Sequence, residues 1–104
     1  MKLRFRPAAL VDLDLIYDST VENWSVVQAD LYHAQLMAAT DQLLEHPRSG
    51  HIYRSVSQSV EFRSIPSGRH LIFYVIDGDT IDVVRILHDR MDIRAKLLDP
   101  PASV

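Results

Sequence analysis

The apolar positions are densest between residues 69 and 92, and their pattern predicts a β-hairpin. Residues 71–76 are six consecutive apolar residues, mostly branched or aromatic, which is typical of a strand. Residues 77–79 (DGD) predict the turn, because Asp-Gly tolerates the positive φ angles of a tight hairpin. Residues 81–88 then form the return strand.

Strict alternation divides this hairpin into two faces. One face comprises Ile72, Tyr74, Ile76, Ile81, Val83, Arg85 and Leu87. The other comprises Leu71, Phe73, Val75, Asp82, Val84, Ile86 and His88. Both faces are largely apolar, so the hairpin is predicted to form the centre of a sheet and to need cover on both sides.

Two amphipathic helices are predicted before the hairpin. Residues 8–22 carry an apolar stripe, with Asp12, Asp14, Asp18 and Glu22 facing away from it. Residues 26–45 carry a second stripe, preceded by Ser25 as an N-cap that pairs with Gln28 in a capping box. The short bend between them predicts an antiparallel helical hairpin.

The remaining segments complete an α+β fold. Residues 2–6 and 60–65 alternate as strands, residues 51–58 are predicted to be a loop, and Asp89 begins a short terminal helix. We therefore expect a helical hairpin packed on a small antiparallel β-sheet, in the order β-α-α-β-β-β-short α. Residues 1–98 are predicted to form one domain and residues 99–104 a disordered tail.

Composition narrows the functional classes. The chain has 104 residues, 24% of them charged, no cysteine, and no apolar stretch long enough to span a membrane. The absence of cysteine fits a cytoplasmic protein. No cofactor or metal is expected, since the histidines are scattered. Net charge is −3 and the pI about 5.9, which argues against specific nucleic-acid binding through phosphates.

The charges are unevenly distributed. Residues 7–47 contain seven acids and no Lys or Arg, whereas residues 48–76 contain four arginines and only Glu61 as an acid. One side of the protein is therefore expected to be acidic and another basic. The alternative is that both are ordinary solvated faces without a partner.

Arg85 interrupts an apolar strand face and is the sharpest candidate for a functional residue. With Arg63 and Arg69 it would form a basic cluster for an acidic partner or a phosphate. The alternative is an internal ion pair with Glu61 or Asp82. His88 near Asp89 suggests either an acid–base or metal site or, structurally, a helix cap beside a sheet edge.

The two helices cover only one sheet face, and the short terminal helix covers part of the other. An apolar patch on the remaining area is expected to bind a peptide from another chain. The alternative is that residues 51–58 fold over it.

Several motifs recur in a family order over residues 3–98. They are residues 9–16 (ALVDLDLI), Trp24-Ser25, Gln28-Ala29 with Tyr32, His46-Pro47 with Gly50, Gly68 and His70 followed by Ile72 and Tyr74, and residues 85–88 (RILH) followed by Met91-Asp92. In this set the chain resembles the ParE toxins of bacterial type II toxin–antitoxin systems, within the RelE/ParE superfamily.

This resemblance implies a toxin that poisons DNA gyrase, is not an enzyme, and is held inactive by a ParD-type antitoxin. The other branch of the superfamily, RelE-like, implies a ribosome-dependent mRNA endonuclease, for which Arg63, Arg85 and His88 would be the catalytic candidates. A third interpretation is a degenerate member that binds its antitoxin and little else.

Two surfaces follow from the favoured interpretation. The residues expected to contact the target are Arg69, Arg85, His88, Arg90 and Arg94. The antitoxin is expected to contact the uncovered sheet face and the groove of the acidic helices. The residues assigned to it on the sheet are Ile72, Tyr74, Val83, Arg85 and Leu87.

Overall fold

The computed structural model describes residues 1–54 and 61–91. The elements are β1 (Lys2–Phe5), α1 (Pro7–Asn23), α2 (Val26–Gln42), β2 (His51–Arg54), β3 (Glu61–Ser67), β4 (His70–Asp77) and β5 (Thr80–His88). The predicted α+β class, the helical hairpin and the central β-hairpin are confirmed.

Both helices begin where the signals for a helix N-terminus predict. Pro7 occupies the first turn of α1, where its missing N–H costs nothing, and Arg6 makes no side-chain cap. Ser25 caps α2, its Oγ accepting a hydrogen bond from the Gln28 N–H at 3.0 Å. Helix α2 ends at Gln42, three residues before the predicted end.

The sheet is mixed rather than antiparallel. Its strand order is β1-β5-β4-β3-β2, and β1 pairs in parallel with β5 while the other pairs are antiparallel. Alternation within residues 2–6 predicts a strand but not its neighbour or direction. The loop predicted at residues 51–58 is wrong for β2, which pairs with β3 at the sheet edge. The strand has only four residues, with His51 and Ile52 exposed, so its polar–apolar alternation is too short to predict a strand.

A β-bulge shifts the predicted faces of the hairpin. Phe73 pairs with Arg85 and Tyr74 with Val83, so Val84 is the extra residue. Beyond the bulge, Ile86 packs on the helix side and Leu87 on the opposite side. The predicted faces are therefore wrong for both residues.

The helices bury one face of the sheet. The helix-side core consists of Ala9, Leu13, Leu36, Leu43, Ile72, Tyr74, Ile81, Val83 and Ile86. On the other face, Phe62, Phe73, Val75, Val84 and Leu87 form a second buried group, the opposite-face cluster. Both faces of the hairpin are thus buried, as its composition predicts.

The chain turns after β5. Asp89 and Arg90 form a turn, and the Met91 N–H donates to the His88 carbonyl at 3.0 Å. The predicted terminal helix beyond this point, the predicted tail at 99–104, and the proposed cover by residues 55–58 lie outside the described residues.

Candidate functional site

Arg85 is held by Asp12 of α1. Its Nε and Nη2 donate to the two carboxylate oxygens at 2.8 and 2.9 Å, and the Ile86 N–H donates to Oδ2 at 2.9 Å. Strand β1 ends opposite Val83, so beyond that point Asp12 supplies the acceptor that a strand would otherwise provide. These bonds raise the pKa of Arg85. The prediction that Asp12 faces away from the core is wrong, because its carboxylate pairs with Arg85.

Arg63 is satisfied internally. Its side chain is 10% exposed and donates to the carbonyls of Arg48 and Gly50 at 3.1 and 3.3 Å and to Glu61 at 3.1 Å. The predicted ion pair with Glu61 is confirmed for this arginine. Arg63 therefore ties the segment after α2 to the sheet.

Tyr74 anchors the same segment. Its hydroxyl donates to the Pro47 carbonyl at 2.7 Å and accepts the Gly50 N–H at 3.0 Å, and burial raises its pKa. A Cβ on Gly50 would lie 2.6 Å from that hydroxyl, so the close approach requires glycine. Tyr74 thus has a structural role in the fold.

Asp82, the second acid proposed for Arg85, pairs elsewhere. It is 1% exposed and accepts from Arg4 at 3.3 and 3.1 Å and from Arg6 at 2.7 Å. Burial acts to raise its pKa, but the hydrogen bonds and charges of Arg4 and Arg6 outweigh it and hold the pKa below the ordinary value. The carboxylate therefore fastens β1 to β5.

A cavity of about 470 Å³ opens where the helical hairpin meets one end of the sheet. Its lining comprises Ser19, Thr20, Asn23, Trp24, Gln28, Tyr32, Arg69, His70 and His88. We call it the His70–His88 pocket, because these two rings face each other across β4 and β5 with centroids 5.3 Å apart.

Tyr32 connects the pocket to the sheet turn. Its hydroxyl lies 2.6 Å from His70 Nδ1 and accepts the Arg69 N–H at 3.0 Å. Gly68 has φ +59°, and a Cβ there would lie 2.5 Å from the Tyr32 ring. Burial first, and then the neighbouring His88, lower the pKa of His70.

The structure brings some of the residues predicted to contact the target together, but not all of them. Arg69 and His88 line the same pocket, and Arg90 lies in the turn that follows His88. Arg85 is bound to Asp12, and Arg94 lies outside the described residues. The three catalytic candidates of the RelE-like alternative have separate partners: Arg63 has Glu61, Arg85 has Asp12, and His88 has Asp89 at 3.1 Å.

The sheet residues predicted to contact the antitoxin do not form an open face. Ile72, Tyr74 and Val83 are completely buried in the helix-side core. Leu87 is 1% exposed in the opposite-face cluster. These four side chains therefore form no open face in the free chain, because three are covered by the helices and Leu87 packs in the opposite-face cluster.

Most of the large apolar residues that are exposed in the described part of the chain lie instead on the helical hairpin. They are Leu10, Val11, Leu15, Trp24, Val26, Val27 and Leu31, and we call them the helical apolar surface. Val11 with Leu15 and Val27 with Leu31 are spaced four residues apart, so each pair lies on one side of its helix. That spacing is the sequence signal for this surface, and Leu10 and Leu31, which have the spacing of the apolar core stripes, are exposed on it.

The described residues, 1–54 and 61–91, contain no candidate metal site and no candidate membrane-spanning helix. No group of three His, Asp or Glu side chains there converges to hold a metal ion. No helix in that part of the chain is long and apolar enough to cross a membrane.

The geometry defines the class of protein. It is a small α+β domain whose helical hairpin covers one face of a mixed sheet, and in which Arg63 and Arg85 are paired internally. The family model described as the ParE toxin of the type II toxin–antitoxin system parDE matches residues 3–93. The chain therefore belongs to the ParE toxin family.

Individual relatives agree with this assignment. Toxin ParE1 of Mycobacterium tuberculosis is 39% identical over 92 residues, which cover 88% of this chain and 92% of that protein. Toxin ParE1 of Caulobacter vibrioides is 33% identical over 94 residues, covering 90% and 95%. A solved structure described as the chromosomal ParDE TA system from P. aeruginosa has the same fold, with a TM-score of 0.69, 21% identity, and coverage of 85% of this chain and 95% of that chain.

Proposed function

We propose that this ParE-type toxin inhibits bacterial growth by binding and poisoning DNA gyrase in the cytoplasm, and that a ParD-type antitoxin neutralises it. Residues 1–98 form the toxin domain in this proposal. The observation that carries binding rather than catalysis is the internal pairing of Arg63 and Arg85. RNA cleavage needs cations directed at a phosphate, and these two guanidinium groups are already engaged by protein acceptors.

The target-binding surface in this proposal is the end of the sheet beside the His70–His88 pocket. Arg69 and Arg90 are exposed there, and His88 is partly exposed between them. Arg94 belongs to the same proposed surface. Arg85 supports it indirectly, since its bond to Asp12 fixes the end of β5 on which His88 stands.

The antitoxin-binding surface in this proposal is the helical apolar surface. Leu15, Val27 and Leu31 are each more than half exposed. The helices that carry them hold acids but no Lys or Arg. An antitoxin segment that carries apolar residues flanked by Lys or Arg complements both properties.

Gyrase supercoiling tests the target. The purified toxin, free of antitoxin, is expected to stop plasmid supercoiling or to accumulate cleaved DNA. Arg69→Ala and Arg90→Ala are each expected to reduce this effect about tenfold, while the matched variant Arg48→Ala, another exposed arginine, retains it. Folded toxin that leaves gyrase active but cleaves mRNA on ribosomes would replace this proposal with the RelE-like alternative.

Binding to a purified ParD-type antitoxin tests the second surface. Leu31→Glu is expected to weaken binding by at least about tenfold, because it puts an acid in an apolar contact. His46→Glu puts an acid at an exposed position beyond the end of α2 and is expected to change binding little. Equal binding by both variants and the unmodified toxin would exclude the helical apolar surface as the antitoxin site.

A further inference from the structure

The His70–His88 pocket combines hydrogen-bond donors with an exposed aromatic ring. The end of α1, the start of α2, the turn between β3 and β4, and the end of β5 all contribute to its lining. Trp24 is 78% exposed at its rim. The chemistry of the pocket follows from which of its polar atoms are already engaged within the protein.

His70 keeps one nitrogen available as a donor. Tyr32 has a single hydroxyl hydrogen, and His70 Nδ1 at 2.6 Å is a closer acceptor than the Ser67 carbonyl at 3.3 Å. On this shorter distance we assign the hydroxyl hydrogen to Nδ1, and neutral His70 then carries its hydrogen on Nε2.

The same reasoning applies to His88. Its Nδ1 accepts the Arg90 N–H at 3.1 Å, so neutral His88 also carries its hydrogen on Nε2. When His88 is protonated, Nδ1 pairs with Asp89 at 3.1 Å and Nε2 remains a donor. Both imidazoles line the pocket, so each Nε2 N–H is a candidate donor to a ligand bound there.

Arg69 adds the positive charge. Its guanidinium has no acidic partner within the described part of the chain, although its backbone N–H is bound to Tyr32. The lining combines Arg69 and two imidazoles with uncharged polar side chains and contains no carboxylate, which favours a ligand with negative charge at Arg69.

The local charge distinguishes between anions. Arg69 is the one group in the lining with a permanent full charge, and burial and His88 together disfavour a charge on His70. Asp89 beside His88 opposes a second negative charge. One permanent charge matches a monoanionic carboxylate better than a phosphate dianion.

We infer that the His70–His88 pocket binds a carboxylate that carries an apolar or aromatic group, with the carboxylate at Arg69, His70 and His88 and the apolar group against Trp24. Its source is a segment of a protein partner in which a carboxylate lies beside an apolar or aromatic side chain. The identification of that partner as the target rests on the proposed function, whereas the chemistry of the pocket is measurable without any partner.

Trp24 is the only tryptophan in the chain, so its fluorescence reports on the pocket directly. The probe is N-acetyl-L-phenylalanine, and its control is N-acetyl-L-phenylalanine amide, which has the same ring but no charge. The acid is expected to change the fluorescence saturably, and the amide to bind at least about tenfold more weakly. Inorganic phosphate is expected to bind more weakly than the acid.

Variants assign the donors. Arg69→Gln is expected to weaken binding of the acid about tenfold, and His88→Leu about threefold, while Arg48→Gln leaves it unchanged. Circular dichroism verifies that each variant is folded. Equal binding of acid and amide, tighter binding of phosphate, or an unchanged Arg69→Gln variant would each overturn the inference.

This titration also separates the inference from the proposed function. If the acid binds as expected while gyrase is unaffected by the toxin, the pocket stands and the gyrase proposal fails. If gyrase is poisoned while the acid and the amide bind alike, the carboxylate assignment fails and the gyrase proposal stands.

Discussion

Two buried carboxylates fasten this fold at different places, and each does so through arginine. Asp12 fastens α1 to the sheet by accepting from Arg85 and from the Ile86 N–H. Asp82 fastens β1 to β5 by accepting from Arg4 and Arg6. Asp12 is 8% exposed and Asp82 is 1% exposed, so burial of the acid is similar in the two places.

The two differ in what surrounds the arginines. The Arg85 side chain is 28% exposed, whereas those of Arg4 and Arg6 are 58% and 47% exposed. Without its carboxylate, Arg85 has limited access to water, whereas Arg4 and Arg6 are about half exposed. The cost of losing an ion pair depends on the solvation left to the surviving partner, so the two sites are expected to respond unequally.

Asp12→Asn is expected to have the largest effect. It leaves the Arg85 charge unpaired and weakens the bond to the Ile86 N–H, which is expected to lower the free energy of unfolding by about 3–5 kcal/mol. Urea unfolding followed by circular dichroism measures this loss. Asp14→Asn, an exposed acid on the same helix, is expected to change stability by less than about 0.5 kcal/mol.

A double variant shows whether the loss comes from the unpaired charge. Asp12→Asn combined with Arg85→Met is expected to be more stable than Asp12→Asn alone, because the uncompensated cation is removed. A double variant less stable than Asp12→Asn would mean that the arginine contributes mainly through packing.

Asp82→Asn is expected to cost less, about 1.5–3 kcal/mol, because charge-assisted hydrogen bonds are lost but both arginines remain hydrated. The same urea experiment measures it. A loss as large as that of Asp12→Asn would contradict the comparison, since it would show that the exposure of the surviving arginine does not matter.

Lowering the pH tests the contribution of Asp82 to stability separately. The pKa of Asp82 is lowered in the folded chain, so its contribution to stability is complete above its ordinary value of 3.8 and is lost as pH falls through the lower folded value. The stability difference between the unmodified toxin and Asp82→Asn is therefore expected to shrink below about pH 4. Urea unfolding at several pH values measures that difference.

His70 contributes equally to the pH dependence of the unmodified toxin and of Asp82→Asn. Burial and His88 lower its pKa in the folded chain and outweigh Asp89 and Asp12, which raise it. The Tyr32 hydroxyl contacts its Nδ1. Stability is therefore expected to fall as pH drops below the ordinary histidine value of 6.5. A difference between two proteins that both contain His70 removes this contribution.

Much of the fold is predictable because local signals determine it. The Pro7 start, the Ser25 cap and the Asp-Gly turn are properties of a few neighbouring residues, and the structure confirms them. The bulge at Val84 and the parallel β1–β5 pair depend on contacts distant in sequence. Alternation cannot reveal such contacts, so Ile86 and Leu87 were assigned to the wrong faces.

The site was predictable in its components rather than in its pairings. Arg85 stands out in the sequence because a charge in an apolar strand requires a partner, but Asp12, 73 positions away, has the spacing of a solvent-facing helix residue. The sequence predicts Arg69 and His88 as contact residues, but their position beside Tyr32 in one pocket depends on how the helices pack on the sheet. Residue types therefore identified candidates, and tertiary packing decided their partners.

Replacing one arginine at each site is the finest test of the comparison. Arg6→Gln leaves Arg4 on both oxygens of Asp82 at 3.3 and 3.1 Å, so the loss is expected to be only about 0.5 kcal/mol, as for an exposed ion pair. Arg85→Gln leaves Asp12 with the Ile86 N–H as its remaining donor among the described residues, so a clearly larger loss is expected. Urea unfolding of the two variants side by side measures both losses. Equal losses would mean that a second arginine gives Asp82 no redundancy, and the different exposure of the two sites would then not explain their stability.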